Sequence, residues 1–165
     1  MKTAARRIGL LMGAVTLLAG LSHCSDTPPT TANTVISIEL AQLHQKLSKG
    51  SFNGLVAVVA SWCPPCRQEL PDLSKLYRKY RDEGFQIVAV SIDVDGPKAI
   101  QPLIDELGIG FPVYWVGPAA VEHYRLVGIP ALLVYAKGKL IETLPGKRSS
   151  REIESRIRAV MAERN

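Results

Sequence analysis

Residues 55–66 read Leu-Val-Ala-Val-Val-Ala-Ser-Trp-Cys-Pro-Pro-Cys, and they carry the clearest structural pattern in the chain. Its first half, residues 55–60, is a continuous apolar run, which is typical of a strand buried on both faces of a sheet. After the two prolines, residues 66–83 carry apolar side chains at three- and four-residue steps, which predicts a helix. The sequence therefore predicts a pair of cysteines at the junction between a buried strand and a helix.

Outward from this junction, the chain alternates between strand and helix. The predicted strands are 35–37, 55–60, 85–92, 111–116, 131–135 and 140–144, and the predicted helices are 39–49, 66–83, 97–107, 119–124 and a last helix opened by the capping box Ser149/Glu152. An alternating first half followed by a hairpin and a closing helix predicts an α/β fold. Specifically, we expect a three-layer sandwich with a central mixed β-sheet and helices on both faces.

Composition excludes several classes of protein. Of 165 residues, 47% are hydrophobic and 21% are charged, which excludes disorder, collagen-like repeats and a coiled coil as the main architecture. We expect one folded domain, residues 35–165. The net charge of +5 becomes +2 without Lys2, Arg6 and Arg7, which is too weak to indicate nucleic acid as a partner.

The first segment, residues 1–23, is interpreted as a signal peptide. Three basic residues precede residues 8–21, which contain no charge. A helix of 14 residues would span about 21 Å, whereas the hydrocarbon core of a bilayer is about 30 Å thick. An uncleaved membrane anchor remains the alternative.

Cys24 is the predicted lipidation site. The sequence Leu21-Ser22-His23-Cys24 resembles a bacterial lipobox, although His23 stands where a small residue is usual. Residues 24–34 are polar and rich in Pro and Thr, which is typical of a tether. The alternative is a soluble exported protein with a free Cys24, and either interpretation places the protein outside the cytoplasm, in the periplasm or cell envelope.

Cys63 and Cys66 are the candidate catalytic residues, and their spacing allows a disulfide. A helix N-terminus stabilises a thiolate, so we expect Cys63 to be the nucleophile and Cys66, one turn further on, to resolve the intermediate. Pro64 and Pro65 lack N–H donors and would tune the reducing strength of the pair. We expect Trp62 to cover one side of the pair, or alternatively to lie in the core.

Two other interpretations of the cysteine pair are weaker. A zinc half-site needs two further ligands, and the remaining candidates, Cys24, His23, His44 and His123, lack metal-ligand spacing, so we predict no metal. A purely structural disulfide would close a very small loop and restrain the unfolded chain little. Redox chemistry is the favoured interpretation.

The wider sequence resembles the thioredoxin superfamily, and within it the extracytoplasmic thiol–disulfide oxidoreductases of the TlpA/ResA type. The matching stretches are residues 60–66, 69–71, 88–93, 108–112 and 127–130, with Gly138-Lys139 in the hairpin turn. The resemblance implies a thioredoxin-like fold. It also implies that Pro130 is a cis-proline beside the disulfide and that Ile129 offers backbone groups to an extended substrate. Glu69 matches an acidic residue near the redox pair; its alternative is a solvated helix residue.

This resemblance also implies a function. Proteins of this type commonly reduce disulfides in an oxidising compartment, notably the CxxCH segment of apocytochrome c during cytochrome c maturation, and are recharged by a membrane thiol donor of the DsbD/CcdA kind. No cofactor beyond the redox-active disulfide is expected. The alternatives are a general disulfide reductase or oxidant, and, from another class, a non-enzymatic module that handles Cu(I) during assembly.

Overall fold

The computed structural model describes residues 33–163. The predicted signal peptide, Cys24 and all of the tether except residues 33 and 34 lie outside this range. Within the described residues, none of the helices combines the length and the apolar character needed to cross a membrane.

Six strands and five helices follow one another along the described chain. They are β1 Ile36–Ser37, α1 Leu40–Leu47, β2 Gly54–Val59, α2 Pro64–Tyr80, β3 Gln86–Ser91, α3 Pro97–Glu106, β4 Val113–Trp115, α4 Ala119–His123, β5 Ala131–Ala136, β6 Lys139–Pro145 and α5 Ser150–Ala162. This sequence of elements agrees with the predicted alternation and closing hairpin.

All six strands form one mixed sheet in the order β1-β4-β3-β2-β5-β6. The pairs β1–β4, β4–β3 and β3–β2 are parallel. The pairs β2–β5 and β5–β6 are antiparallel. Because β2, β3 and β4 are parallel, their carboxyl ends share one edge of the sheet, and the cysteine pair follows β2 at that edge.

Helices cover both faces of the sheet centre. Every residue of β2 and of β5 is buried. Successive side chains of a strand point to opposite faces, so this burial requires a packed layer on each side. Helices α2 and α5 pack against each other and against the sheet. The predicted three-layer α/β sandwich is thereby confirmed.

Helix α2 begins two residues earlier than the periodicity predicts. It starts at Pro64, because the first helical positions need no N–H donor and Cys63 serves as the N-cap. It also ends at Tyr80, where a 3₁₀ turn over Arg81–Glu83 takes over and Gly84, at φ 81°, closes the segment. Residues 81–83 are all charged and none of them is buried, so the apolar spacing itself ends at Tyr80, where α2 ends.

Candidate active site

The cysteine pair lies where β2 passes into α2. Cys63 and Cys66 form a disulfide with an S–S distance of 2.02 Å and a Cα–Cα distance of 5.3 Å. Cys63 is 3% exposed and Cys66 is fully buried. Access from solvent is therefore restricted to Cys63, as expected for the thiol that meets a substrate.

The helix N-terminus acts directly on the Cys63 sulfur. Cys63 is the N-cap, and the Cys66 N–H donates a hydrogen bond to Cys63 Sγ at 3.2 Å. Pro64 and Pro65 occupy the first helical positions and contribute no donors, so this bond falls to the first available N–H of the helix. The same donor and the positive end of the helix would stabilise a Cys63 thiolate after reduction.

The loop before β5 supplies the second wall of the site. The Ile129–Pro130 bond is cis, as the resemblance implied, and Pro130 is buried. Ala131 pairs with Val58 in the antiparallel β2–β5 ladder. This register places Pro130 beside the carboxyl end of β2, from which the chain continues to the disulfide.

An apolar groove borders the site. It encloses about 510 Å³ and is lined by Trp62, Ile92, Val94, Pro118, Val121, Leu126, Val127, Gly128 and Ile129. Trp62 is 63% exposed and Val127 is 90% exposed. The alternative interpretation of Trp62 as a core residue is therefore wrong, and its predicted covering of the pair stays a prediction. Ile129 lies at the edge shared by the groove and the cis-proline loop.

Glu69 is buried beneath the surface, which contradicts its interpretation as a solvated helix residue. Its side chain is 1% exposed, and Oε1 accepts a hydrogen bond of 2.7 Å from the Arg148 backbone N–H. The buried Oε2 has no partner within the described residues. Burial raises the pKa of Glu69 above its usual 4.5, while the bond from Arg148 and the nearby charge of Lys147 partly offset that rise. The carboxyl group therefore keeps its proton to a higher pH than an exposed glutamate does.

Asp93 is a site residue that the sequence did not single out. Its side chain is 2% exposed and lies at the carboxyl ends of β2 and β3. Oδ1 accepts from the Ser61 hydroxyl at 2.6 Å, and Oδ2 accepts from the Ser91 hydroxyl at 2.8 Å. The sequence does contain an indication of this role, because Asp93 follows a predicted buried strand. The carboxyl ends of neighbouring parallel strands meet at one edge of the sheet, so an acidic residue there is expected to lie near the cysteine pair.

Residues 33–163 contain no group of three or more His, Cys, Asp or Glu side chains that could hold a metal ion. His44 and His123 do approach each other, with ring centroids 5.9 Å apart. Neither is close in sequence to the cysteine pair, and each belongs to a different helix.

The chain is similar to several thiol–disulfide oxidoreductases named ResA. It is 27% identical to ResA of Halalkalibacterium halodurans over 129 residues, which cover 77% of this chain and 69% of that protein. Over 102 residues it is 28% identical to ResA of Bacillus anthracis, covering 61% of this chain. The match spans 58% of that relative's length.

Solved structures show the same fold. A Chlorobium tepidum protein described as a DsbE-type thiol:disulfide interchange protein aligns with a TM-score of 0.63 and 26% identity, covering 71% of this chain and 84% of that one. StoA from Bacillus subtilis aligns with a TM-score of 0.57 over 66% of this chain and 83% of that one; at 21% identity it supports the fold alone.

A family model reaches across most of the described domain. The model of the AhpC/TSA family matches residues 30–141, from just before β1 into β6. The match includes the strand–helix junction with its CxxC disulfide and the cis-proline loop. The chain thus belongs to the AhpC/TSA family of thioredoxin-like proteins.

Proposed function

We propose that this protein is an extracytoplasmic thiol–disulfide oxidoreductase that reduces the disulfides of partner proteins. The observation that carries the proposal is the hydrogen bond from the Cys66 N–H to Cys63 Sγ at the N-terminus of α2. A sulfur held by a helix N-terminus, at the surface end of a CxxC pair, is arranged to act as a thiolate nucleophile.

The exchange needs only the two cysteines. In the reduced protein, the Cys63 thiolate attacks one sulfur of the target disulfide, forming a mixed disulfide and releasing the other target sulfur as a thiolate. Cys66, deprotonated, then attacks Cys63 Sγ and releases the second target sulfur, which leaves Cys63–Cys66 oxidised. Two electrons pass to the target, the two protons of the dithiol neutralise the released thiolates, and no cofactor takes part.

The raised pKa of Glu69 fits a supporting role in this second step. Cys66 is fully buried and must lose its proton before it can attack. Glu69 lies three residues further along α2, and its unpartnered Oε2 is available to a proton. We assign Glu69 to the support of the pair, with Trp62 and Ile129 contacting the target on the groove side.

For the target, we propose the CxxCH segment of apocytochrome c, with recharging by a membrane thiol donor of the DsbD/CcdA kind. The similarity to ResA proteins and to a DsbE-type interchange protein supports this choice. A lipid on Cys24 would hold the domain at a membrane, near such a donor. Mass spectrometry of the mature N-terminus tests that part: a first residue beyond Cys24, without lipid, would remove the anchor from the proposal.

The direction of the reaction is tested by a redox titration of Cys63–Cys66 against glutathione. A reduction potential well below about −200 mV would support a reductant, and a potential near −120 mV would indicate an oxidant instead.

Metal analysis of the reduced protein addresses the Cu(I) alternative, because thiolates are soft ligands for that ion.

The target is tested by trapping. Cys66→Ser should accumulate mixed disulfides, because the nucleophile remains and the resolving thiol is missing. Cys63→Ser is the matched control and should trap little, since Cys66 is fully buried. Equal trapping by both variants would contradict the assigned roles. Trapped proteins without apocytochromes among them would favour the general reductase.

A further inference from the structure

The carboxyl group of Asp93 has no part in the exchange described above, yet it is bonded to the segment that carries Cys63. Both of its oxygens accept from the Ser61 backbone N–H, at 3.2 and 3.1 Å. The Ser61 and Ser91 hydroxyls complete the set at 2.6 and 2.8 Å. Asp93 thus joins the segment after β2 to the end of β3.

That segment is short, and its buried residues are Ala60 and Cys63. Strand β2 ends at Val59 and α2 begins at Pro64, so four residues determine where Cys63 lies. Trp62 is 63% exposed and is therefore not fixed by packing. The Cys63 N–H donates to Ala60 O at 3.2 Å, a bond internal to the segment. Ser61 is the point at which hydrogen bonds to Asp93 fasten the segment to β3.

A carboxyl group suits this position better than an amide would. The groups around Asp93 that contact its oxygens are an N–H and two hydroxyls, all of which can donate. The Ser61 N–H contacts both oxygens, so either orientation of an asparagine would turn its NH₂ toward an N–H donor. The asparagine would keep one of the two contacts with the Ser61 N–H and would replace the other with a contact between two donors, which weakens the bond to Ser61.

The Asp93 backbone is itself fixed. The Trp115 indole Nε1–H donates to Asp93 O at 2.7 Å, and the Asp93 N–H contacts Ser91 Oγ at 3.2 Å. Trp115 is the last residue of β4, so the carboxyl ends of β2, β3 and β4 are tied together around one residue. The anchor of the cysteine segment is therefore part of the rigid sheet edge.

We propose that Asp93 is a positioning residue for Cys63. It holds Ser61, and through Ser61 it keeps the Cys63 sulfur at the N-terminus of α2, within reach of the Cys66 N–H. This inference rests on the proposed function in one respect, namely that Cys63 is the nucleophile. Weakening the hydrogen bonds between Ser61 and Asp93 should lower the reactivity of Cys63, even when both cysteines are present and the domain is folded.

The test compares three variants of the full chain in the reduced state. Asp93→Asn changes the carboxyl group that accepts from Ser61 at nearly constant side-chain volume. Ser61→Ala removes the hydroxyl donor and keeps the Asp93 carboxyl group. Asp95→Asn is the matched control, at an exposed position in the same loop. Rates of oxidation by glutathione disulfide are measured, together with the ratio of alkylation at Cys63 to that at Cys66 by iodoacetamide. Chemical denaturation first establishes the folded fraction of each variant under assay conditions.

We expect oxidation to be about tenfold slower in Asp93→Asn, about threefold slower in Ser61→Ala and unchanged in Asp95→Asn, with the alkylation ratio falling in the first two. A merely structural role would lower the rates only in proportion to the folded fraction, and that result would overturn the proposal. Faster alkylation of Cys63 in Asp93→Asn, with Ser61→Ala unchanged, would also overturn it, because Asp93 would then act through its charge.

The two readouts separate this inference from the proposed function. A wild-type protein that fails to exchange with glutathione disulfide would contradict the proposed function. The alkylation ratio still tests positioning in that case, since it needs no disulfide substrate. If Asp93→Asn does not fold, Ser61→Ala decides: an alkylation ratio and an oxidation rate equal to those of the wild type would overturn the proposal.

Discussion

The two ends of β2 are built in opposite ways. At its amino end, the backbone of Gly54 lies so close to β3 that an added Cβ would stand 2.1 Å from Gln86 O. Beside it, the Asn53 side chain accepts a hydrogen bond of 2.9 Å from the Lys137 N–H. At its carboxyl end, the chain leaves the sheet as an irregular segment that exposes Trp62 and is fastened by Asp93.

The difference shows how the amino end of β2 contributes to stability while its carboxyl end positions the cysteine pair. At the amino end, the backbones of β2 and β3 approach so closely that Gly54 has no room for a side chain, and the Asn53 bond adds to this packing. At the carboxyl end, hydrogen bonds from Ser61 to the Asp93 side chain hold residues 60–63 in place. These bonds leave open the space beside the exposed Trp62. Cys63 can therefore be both well placed and reachable.

The largest effect is expected at the amino end. Gly54→Ala should lower the free energy of unfolding by about 3 kcal/mol, since the new methyl group forces β2 and β3 apart. Urea denaturation measures the change, and Gly50→Ala is the control, because a Cβ there meets nothing within 4 Å. The alkylation of Cys63 in the remaining folded protein should be unchanged; a loss of reactivity would break the proposed separation of the two ends.

Trp62→Ala should show the reverse pattern. Trp62 is 63% exposed, so its removal should change the free energy of unfolding by no more than about 0.5 kcal/mol. Exchange with a protein disulfide should slow about tenfold, equivalent to about 1.4 kcal/mol, because the groove loses one wall. The rate with glutathione disulfide should stay close to that of the wild type.

The control for Trp62→Ala is Leu140→Ala, which truncates another exposed apolar side chain, on β6, outside the groove. It should leave both exchange rates unchanged. Equal slowing by the two variants would show that general apolar surface, and not the groove, binds the substrate.

Glu69→Gln should change the pH dependence of stability. Burial raises the pKa of Glu69 in the folded state, so its contribution to stability is complete below about pH 4.5 and is lost as the pH rises through the folded-state pKa. The free energy of unfolding of the wild type, minus that of Glu69→Gln, should therefore fall as the pH rises from 4 to 8. Denaturation curves across this range measure it, and a difference that rises would contradict the expected sign.

Glu154→Gln should give the smallest effect, with the opposite sign. Glu154 Oε1 accepts from Lys79, Tyr80 and Arg158, and these bonds lower the pKa of Glu154 to about 2. Its contribution to stability is present above about pH 4.5 and is lost as the pH falls toward 2. The difference between wild type and variant should shrink over that acidic range, while the reactivity of Cys63 should not change.

Much of the fold could be predicted from local pattern. The uninterrupted apolar run at residues 55–60 indicated a strand covered on both faces, and every residue of β2 is buried. The prediction was less accurate beside a proline. Residues 111–116 were predicted to form one strand, whereas β4 is limited to Val113–Trp115. The strand begins after Pro112, because proline has no N–H to donate to the sheet. Apolar spacing reports which side chains are buried and says little about where backbone pairing starts.

The sequence alone determined the identity and order of the two cysteines, their place between a strand and a helix, and the α/β class, because these follow from residue type and local periodicity. The folded structure was needed to find that Asp93 bonds to Ser61, 32 residues away, and that Glu69 is buried against Arg148, 79 residues away. Such contacts depend on which strand ends and loops the sheet order brings together. A hydrogen bond between distant residues leaves no period in the sequence, whereas burial of a strand or a helix face does.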